Sequence, residues 1–303
     1  MKKIILSLLL MLASLAGRAQ NAGYLAAYMT GDDERHLYYA VADTAFRFHV
    51  INDGKPILSA HYCDSLIRDP MMFRDQEGIY HLVATVSWDK RPFTMWDSDD
   101  MLHWKNERLI DVAPEGATKT WAPEIAYDEE QCIYMVYWTA EVNNDWSTAA
   151  IYYVTTKDFY EFSKPEVLYR EPGIGILDAN LIKANGRYHL FYRNNGVWMV
   201  SSKKAQGPYQ NPRLVTKDNV EGPYVFPLND QKGYGIVWDY FGGSRGFGLS
   251  ISQDLHSWQR VTNPKEPFYN HIVCFPHGIR HGSILAISTE ELNFLKESKV
   301  RVE

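Results

Sequence analysis

Four acidic residues and one histidine stand at the openings of short strand-forming runs. They are Asp69 in Arg68-Asp69-Pro70, Glu124 in Trp121-Ala122-Pro123-Glu124, Asp178 in Leu177-Asp178-Ala179-Asn180, Glu221 in Glu221-Gly222-Pro223, and His281 in Arg280-His281-Gly282-Ser283. A carboxylate that opens a strand, where backbone meets solvent, is well placed for catalysis. Two such carboxylates facing each other across a pocket, with their pKa values pushed apart, are the machinery of glycoside hydrolysis: one activates water and the other donates a proton to the leaving oxygen. A third acid nearby keeps the donor protonated by like-charge repulsion. Asp69, Glu221 and Asp178 fit these three tasks. Any one of them alone is explained as well by a turn or cap acid. Their recurrence, about every 40 to 60 residues, shifts the balance towards function.

That spacing is the length of a propeller blade. After residue 24 helical periodicity is scarce, apart from a short helix expected over Thr289–Leu295; aromatic and β-branched runs dominate, separated by Gly, Asn, Asp and Pro. A strand passing into a turn and then an aromatic recurs at 94–104, 152–162 and 248–258, with weaker copies at 39–48 and 198–209. A strand precedes each copy, at 24–30, 79–86, 133–139, 188–193 and 234–238. A further strand, opening with one of the acids, precedes all but the first. The missing strand for that first copy is supplied by Arg280–Ile287 at the other end of the chain. The pattern predicts an all-β, five-bladed β-propeller whose ring is closed by N-terminal strands pairing with the C-terminal strand. The innermost strand of each blade would then bring Asp69, Glu124, Asp178, Glu221 and His281 to one mouth of the channel.

Composition bounds the function classes. The chain has 303 residues, 46% hydrophobic and 22% charged, as in a globular protein, and 20–303 reads as one domain. A formal net charge of -6 gives no basic footprint, which argues against nucleic acid and anionic membrane as partners. The 20 Tyr, 13 Phe and 9 Trp favour strands and supply flat apolar faces that stack on sugar rings. Lys2 and Lys3, the apolar run Ile4–Leu15 and the small residues Gly17 and Ala19 read as a signal peptide over 1–19, which implies export to the periplasm or beyond. The run falls short of the ~20 residues a membrane span needs, and no later segment is apolar enough for insertion. Cys63, Cys132 and Cys274 form neither a disulfide framework nor a metal cluster; at least one buried free thiol is expected.

The five landmarks, in this order and at blade spacing, resemble those of glycoside hydrolase family 43 across nearly the whole mature chain. The resemblance implies a five-bladed propeller that acts on arabinosyl, xylosyl or galactosyl linkages with inversion. It makes Asp69 the general base, Glu221 the general acid and Asp178 the residue that tunes and orients the acid. Many members hold a hydrated calcium ion at the channel axis, so the resemblance also implies a Ca2+ site near His281, with His277 as the competing histidine. No cofactor is required for the chemistry. Two features depart from the family pattern: a strand pair over 24–50 precedes Asp69, and Asp178 is not followed by proline.

Around this constellation, Trp121, Trp88, Trp238, Arg193 and Arg245 are candidates for substrate binding, and Glu124 could meet a sugar hydroxyl. Trp146 and Phe241 also sit at strand ends or in loops. Packing between blades accounts at least as well for Trp88, Trp146, Trp238 or Phe241 taken singly, whereas Trp121 is read as touching substrate or walling the funnel. An arginine at a strand end is more often in a surface ion pair, and Glu124 after Pro123 is read first as pointing into the blade or bonding a neighbouring Arg. The reading is an exported, inverting, exo-acting glycosidase that removes arabinofuranosyl residues from plant-type polysaccharides or oligosaccharides. A β-xylosidase or exo-β-galactosidase on the same scaffold, and a carbohydrate-binding propeller without catalysis, are the alternatives. Invertase-like propellers share Arg-Asp-Pro, but their Asn-Asp-Pro and Glu-Cys motifs are missing here. Inversion predicts catalytic carboxyls about 6.5–9.5 Å apart.

Overall fold

The computed structural model describes residues 23–43, 46–229, 233–241, 246–262 and 273–302. The expected signal peptide and Arg245 lie outside the described residues. Five antiparallel sheets are arranged as a β-propeller. The second blade is built from β5 (Arg68–Arg74), β6 (Tyr80–Thr85), β7 (Phe93–Ser98) and β8 (Lys105–Ile110). The third has β9 (Ala117–Asp128), β10 (Ile133–Val142), β11 (Asp145–Thr156) and β12 (Glu166–Tyr169). The fourth has β13 (Leu177–Ala184), β14 (Arg187–Arg193), β15 (Val197–Ser202) and β16 (Gln210–Thr216). The fifth has β17 (Glu221–Pro227), β18 (Tyr234–Asp239), β19 (Phe247–Ser252) and β20 (Gln259–Arg260).

The closing blade joins the two ends of the chain. Its innermost strand is β21 (Ile279–Ile287), followed outward by β1 (Gly23–Thr30), β2 (Asp33–Ala42) and β3 (His49–Val50), with β4 (Leu58–Ser59) also on β2. β1 runs antiparallel to β21 from Gly23 opposite Ile287 to Thr30 opposite Ile279. The innermost strands touch in a closed circuit, β5 on β9, β9 on β13, β13 on β17, β17 on β21 and β21 on β5. Two sheet edges that would otherwise lie open are thereby satisfied. A helix, α1 (Thr289–Glu297), follows β21 and is longer than the sequence suggests by one further half-turn. It starts at a capping box between Ser288 and Glu291, and it buries Leu292 and Leu295 between the closing and second blades.

Because side chains alternate along a strand, each middle strand feeds two cores, one on either side of its blade. On β10, Tyr134, Val136 and Trp138 face the second blade, while Met135 and Tyr137 face the fourth. On β18, Ile236 and Trp238 join Phe191 and Met199 of the fourth blade, while Val237 faces the other way, with Phe226 and Phe247. Trp238 is thus 1% exposed and belongs to inter-blade packing, not to substrate binding as its strand-end position suggested. Its ring lies across Gly248, opposite it on β19, where any Cβ would meet the indole nitrogen at 2.1 Å.

Every innermost strand slips register at its opening: at Arg68 to Met71, Trp121 to Glu124, Leu177 to Asn180, Glu221 to Tyr224 and Arg280 to Gly282. At four of the slips one residue turns left-handed, namely Asp69 (φ 52°), Ala122 (φ 47°), Asp178 (φ 54°) and Gly222 (φ 58°). A non-glycine residue held there costs on the order of 1–3 kcal/mol and persists where its surroundings over-determine it. These bulges re-aim the opening side chains towards the mouth. They also set the layers of the channel. Arg68, Trp121, Leu177, Glu221 and Arg280 share the outermost layer, and Asp69, Asp178 and His281 the next. Glu124 falls one layer deeper, level with Asn180 and Ser283.

The three cysteines are free. Cys63 and Cys132 are exposed and Cys274 is partly exposed, which corrects the expectation of a buried thiol. Cys63 and Cys132 occupy left-handed turn positions, and such turns lie at the surface whatever the polarity of their neighbours.

Candidate active site

The second-layer carboxylates are held by groups from the strand behind them. Thr85, opposite Arg68 on β6, donates its hydroxyl to Asp69 Oδ2 at 2.7 Å and accepts the Ala122 N–H at 2.8 Å. Thr139, opposite Trp121 on β10, accepts the Asp178 N–H at 3.1 Å. Asp178 Oδ2 in turn accepts the Gly222 N–H at 3.0 Å. The second, third and fourth blades thus each hand a side-chain acceptor to the bulge of the next. The corresponding position of the fourth blade, opposite Leu177, is Arg193, which is left to face the cavity.

Asp69, Asp178, Glu221 and His281 share a cavity of about 440 Å³. Asp69 Oδ1 lies 2.9 Å from His281 Nδ1. Burial pushes the Asp69 carboxyl up, but the His281 charge and hydrogen bond, Arg68 and Thr85 outweigh it and hold the group well below the usual carboxylate range. Burial lowers the His281 imidazole, yet Asp69, Asp178 and Glu221 overcome that and push it up to about 10. His281 is therefore a cation that donates to Asp69. Burial raises Asp178, aided by the Asp69 charge against the pull of His281. Burial also raises Glu221, aided by the charge of Asp178 and opposed by His281 and Arg280. The environment thus separates two carboxyls in one cavity, an ionised Asp69 and a Glu221 biased to its protonated form.

Sequence reasoning gave no role to Arg280 or Asp239. Arg280 Nη2 reaches Glu221 Oε1 at 2.8 Å, and its Nε donates to Asp239 Oδ2. Asp239 also accepts the His281 N–H at 3.3 Å. The missed signal is parity: Asp239 follows Trp238, so it points to the opposite side of β18, and it pairs directly with Glu221.

Aromatic residues wall the mouth. Trp88, Trp121, Trp146 and Phe241 all line it, and Trp88 is 55% exposed. Trp121 donates its indole N–H to the Trp88 carbonyl at 3.0 Å and sits 6.4 Å from Trp146. The Arg68 guanidinium lies 3.7 Å from the centre of the Trp88 ring and pairs with Glu34, another wall residue. Arg193 is anchored through Nε to the Val220 carbonyl at 3.0 Å and lies over the Phe241 ring. Faces of this kind pack against sugar rings, and the arginines suit their hydroxyls.

Besides Trp238, two further residues, Glu124 and His277, do not belong to the wall. Glu124 is 6% exposed and lies below the cavity; its Oε2 accepts the Tyr137 hydroxyl at 2.6 Å and Asn180 Nδ2 at 2.9 Å. Burial pushes it up to about 8 against those two hydrogen bonds, so it is a neutral acid that ties the third and fourth blades. Asn180 extends the tie to the fifth by accepting the Val225 N–H. A calcium ion takes oxygen ligands, and His281, whose Nδ1 faces Asp69, offers it none of its own. Among the described residues no cluster of three or more His, Cys, Asp or Glu is arranged to hold a metal. His277 is exposed and lines no part of this cavity.

A family model described as "Probable glycosyl hydrolase domain", of the family-43-related group, matches residues 20–293. The chain belongs to the family-43-related glycosyl hydrolases. An α-L-arabinofuranosidase of Bifidobacterium longum subsp. longum is 27% identical over 212 residues, which are 58% of this chain but only 20% of that protein. The chain thus spans about a fifth of that relative's length. A thermostable family-43 glycoside hydrolase superposes with a TM-score of 0.57 at 19% identity, covering 72% of this chain and 78% of the other. An α-L-arabinofuranosidase from Lactobacillus brevis gives 0.54 at 15% identity, over 64% and 72%. The family-43-related chain shares its propeller architecture with these structures.

Proposed function

We propose that this family-43-related chain is an exported, exo-acting glycosidase that removes arabinofuranosyl residues from a carbohydrate with inversion. The observation that carries the reading is the separation of Asp69 and Glu221 within one cavity, the first depressed and the second raised. Asp69 takes a proton from a water on the far face of the sugar ring. Glu221 protonates the leaving oxygen, and Asp178 keeps it protonated and anchors the bulge that carries it. The cationic His281 orients Asp69 and fixes its ionised state. Trp88, Trp121, Trp146, Phe241 and Arg193 hold the sugar. The arabinofuranosidase relative supports the specificity, and the 1–19 segment supports export.

The decisive experiment is a panel of 4-nitrophenyl α-L-arabinofuranoside, β-xyloside and β-galactoside, with proton NMR of the first-formed sugar. Fastest release from the arabinoside, with the anomer opposite to that of the substrate, is the expected result. Retention of configuration would refute the inverting mechanism, and a preferred xyloside or galactoside would refute the specificity. Binding of oligosaccharide without release of any sugar would make the propeller a binding module.

A further inference from the structure

The most buried carboxylate at this mouth is not one of the three that do chemistry. Asp239 is 0% exposed, and it faces Glu221 across the β17–β18 pair. Its Oδ2 holds Arg280 Nε and the His281 N–H, and among the described residues its Oδ1 has no hydrogen-bond partner. The equivalent positions of the second and third blades are Thr85 and Thr139, which accept one N–H from the next blade with no charge. At this strand position the fifth blade carries a buried carboxyl where the second and third carry a hydroxyl, and a hydroxyl would serve to accept the N–H. What the anion adds is a hold on Arg280, whose other arm lies on Glu221.

We infer that Asp239 is a positioning residue for the proton donor: it fixes Arg280 against Glu221 and offsets the guanidinium charge there. An uncompensated arginine would stabilise the ionised form of Glu221, the wrong state for a donor. With Asp239 behind it, Arg280 orients the carboxyl and receives it once the proton has left, while Glu221 keeps its proton at working pH. The charged groups facing Glu221 are Asp178 from β13, Asp69 from β5, Arg280 and His281 from β21, and Asp239 from β18. Of these, Asp239 also holds the Arg280 side chain that contacts Glu221.

The inference rests on Glu221 as general acid, and the test separates the two. The pH dependence of kcat/KM is measured for the parent, Asp239→Asn, Arg280→Gln and Glu221→Gln on 4-nitrophenyl α-L-arabinofuranoside and on an α-linked arabino-oligosaccharide, whose leaving group needs the proton. In Asp239→Asn the basic limb moves to lower pH, with about tenfold loss on that limb for the oligosaccharide and much less for the nitrophenyl substrate. In Arg280→Gln the limb moves the opposite way, because Asp239 then faces Glu221 uncompensated. An unmoved limb in Asp239→Asn, or equal losses on both substrates, overturns the inference. Should Asp239→Asn not fold, a limb that stays put or falls in Arg280→Gln overturns it instead. Glu221→Gln must lose the oligosaccharide selectively; if it does not, the acid assignment fails and the inference with it.

Discussion

Asp69 and Glu221 carry opposite perturbations, and the sign of each sets one limb of the pH profile. As the proposed base Asp69 must be ionised, so activity is expected to fall only as pH drops through a pKa held below the usual carboxylate range. As the proposed acid Glu221 must be protonated, so activity is expected to fall again as pH rises through a pKa above its ordinary value. A bell-shaped kcat/KM profile with an unusually acidic lower limb is expected; a lower limb at or above the ordinary aspartate value near 4 would contradict it. Glu124 offers a stability counterpart. Its folded pKa, about 8, lies above its unfolded value, so the stability it lends is fully present below the unfolded pKa and is lost as pH rises through the folded one. Glu124→Gln keeps the shape and cannot ionise. Its melting temperature relative to the parent should therefore climb between pH 5 and pH 8 in parallel thermal melts. Glu124→Ala leaves Tyr137 and Asn180 without their acceptor and should cost about 1–3 kcal/mol at either pH.

At the scale of the strand, the bulges decide which residues reach the cavity. The sequence motifs located all five openings, because an acid or histidine at a strand start recurs at blade spacing, in most copies beside Pro or Gly. They did not show the slip of register. Glu124 was therefore aligned with Asp69 and Glu221, though it stands two residues further in than the equivalent of Asp69. Trp238 was misplaced and Asp239 overlooked for a related reason, since parity along β18 is fixed by its pairing with β17 and β19, which one strand's sequence does not disclose. Arg280 was read as part of a landmark and given no task, because its partners lie on two other strands. Gly222 tests the bulge directly. At φ 58° a Cβ would come within 2.6 Å of the His281 ring. Gly222→Ala should cost about 1–2 kcal/mol for the left-handed backbone alone, and it should also lower kcat by displacing His281, read from chemical denaturation and steady-state turnover. Gly248→Ala, against Trp238 and away from the mouth, should destabilise the fold while leaving the shape of the pH profile intact.

For the molecule as a whole, closure is what turns separate strand openings into one site. Asp69 and His281 lie at opposite ends of the chain, and they meet because β21 lies between β1 and β5. This wrap-around was legible in the sequence: one blade copy lacked its leading strand, and one strand was left over at the end. Specificity was less legible, since the residues that shape the mouth, Glu34, Trp88, Trp146 and Phe241, come from loops and outer strands with no periodic signature. Removing residues 279–302 should open the ring, separate Asp69 from its counter-charge and abolish cooperative unfolding, as followed by calorimetry and solubility. The catalytic claim itself is tested most directly by Asp69→Asn, assayed on the fastest aryl glycoside of the panel with its fold checked by circular dichroism. A loss in kcat of about 10²–10⁴ with the fold intact is predicted. Undiminished turnover by the folded variant would contradict Asp69 as the base and, with it, the account of the site.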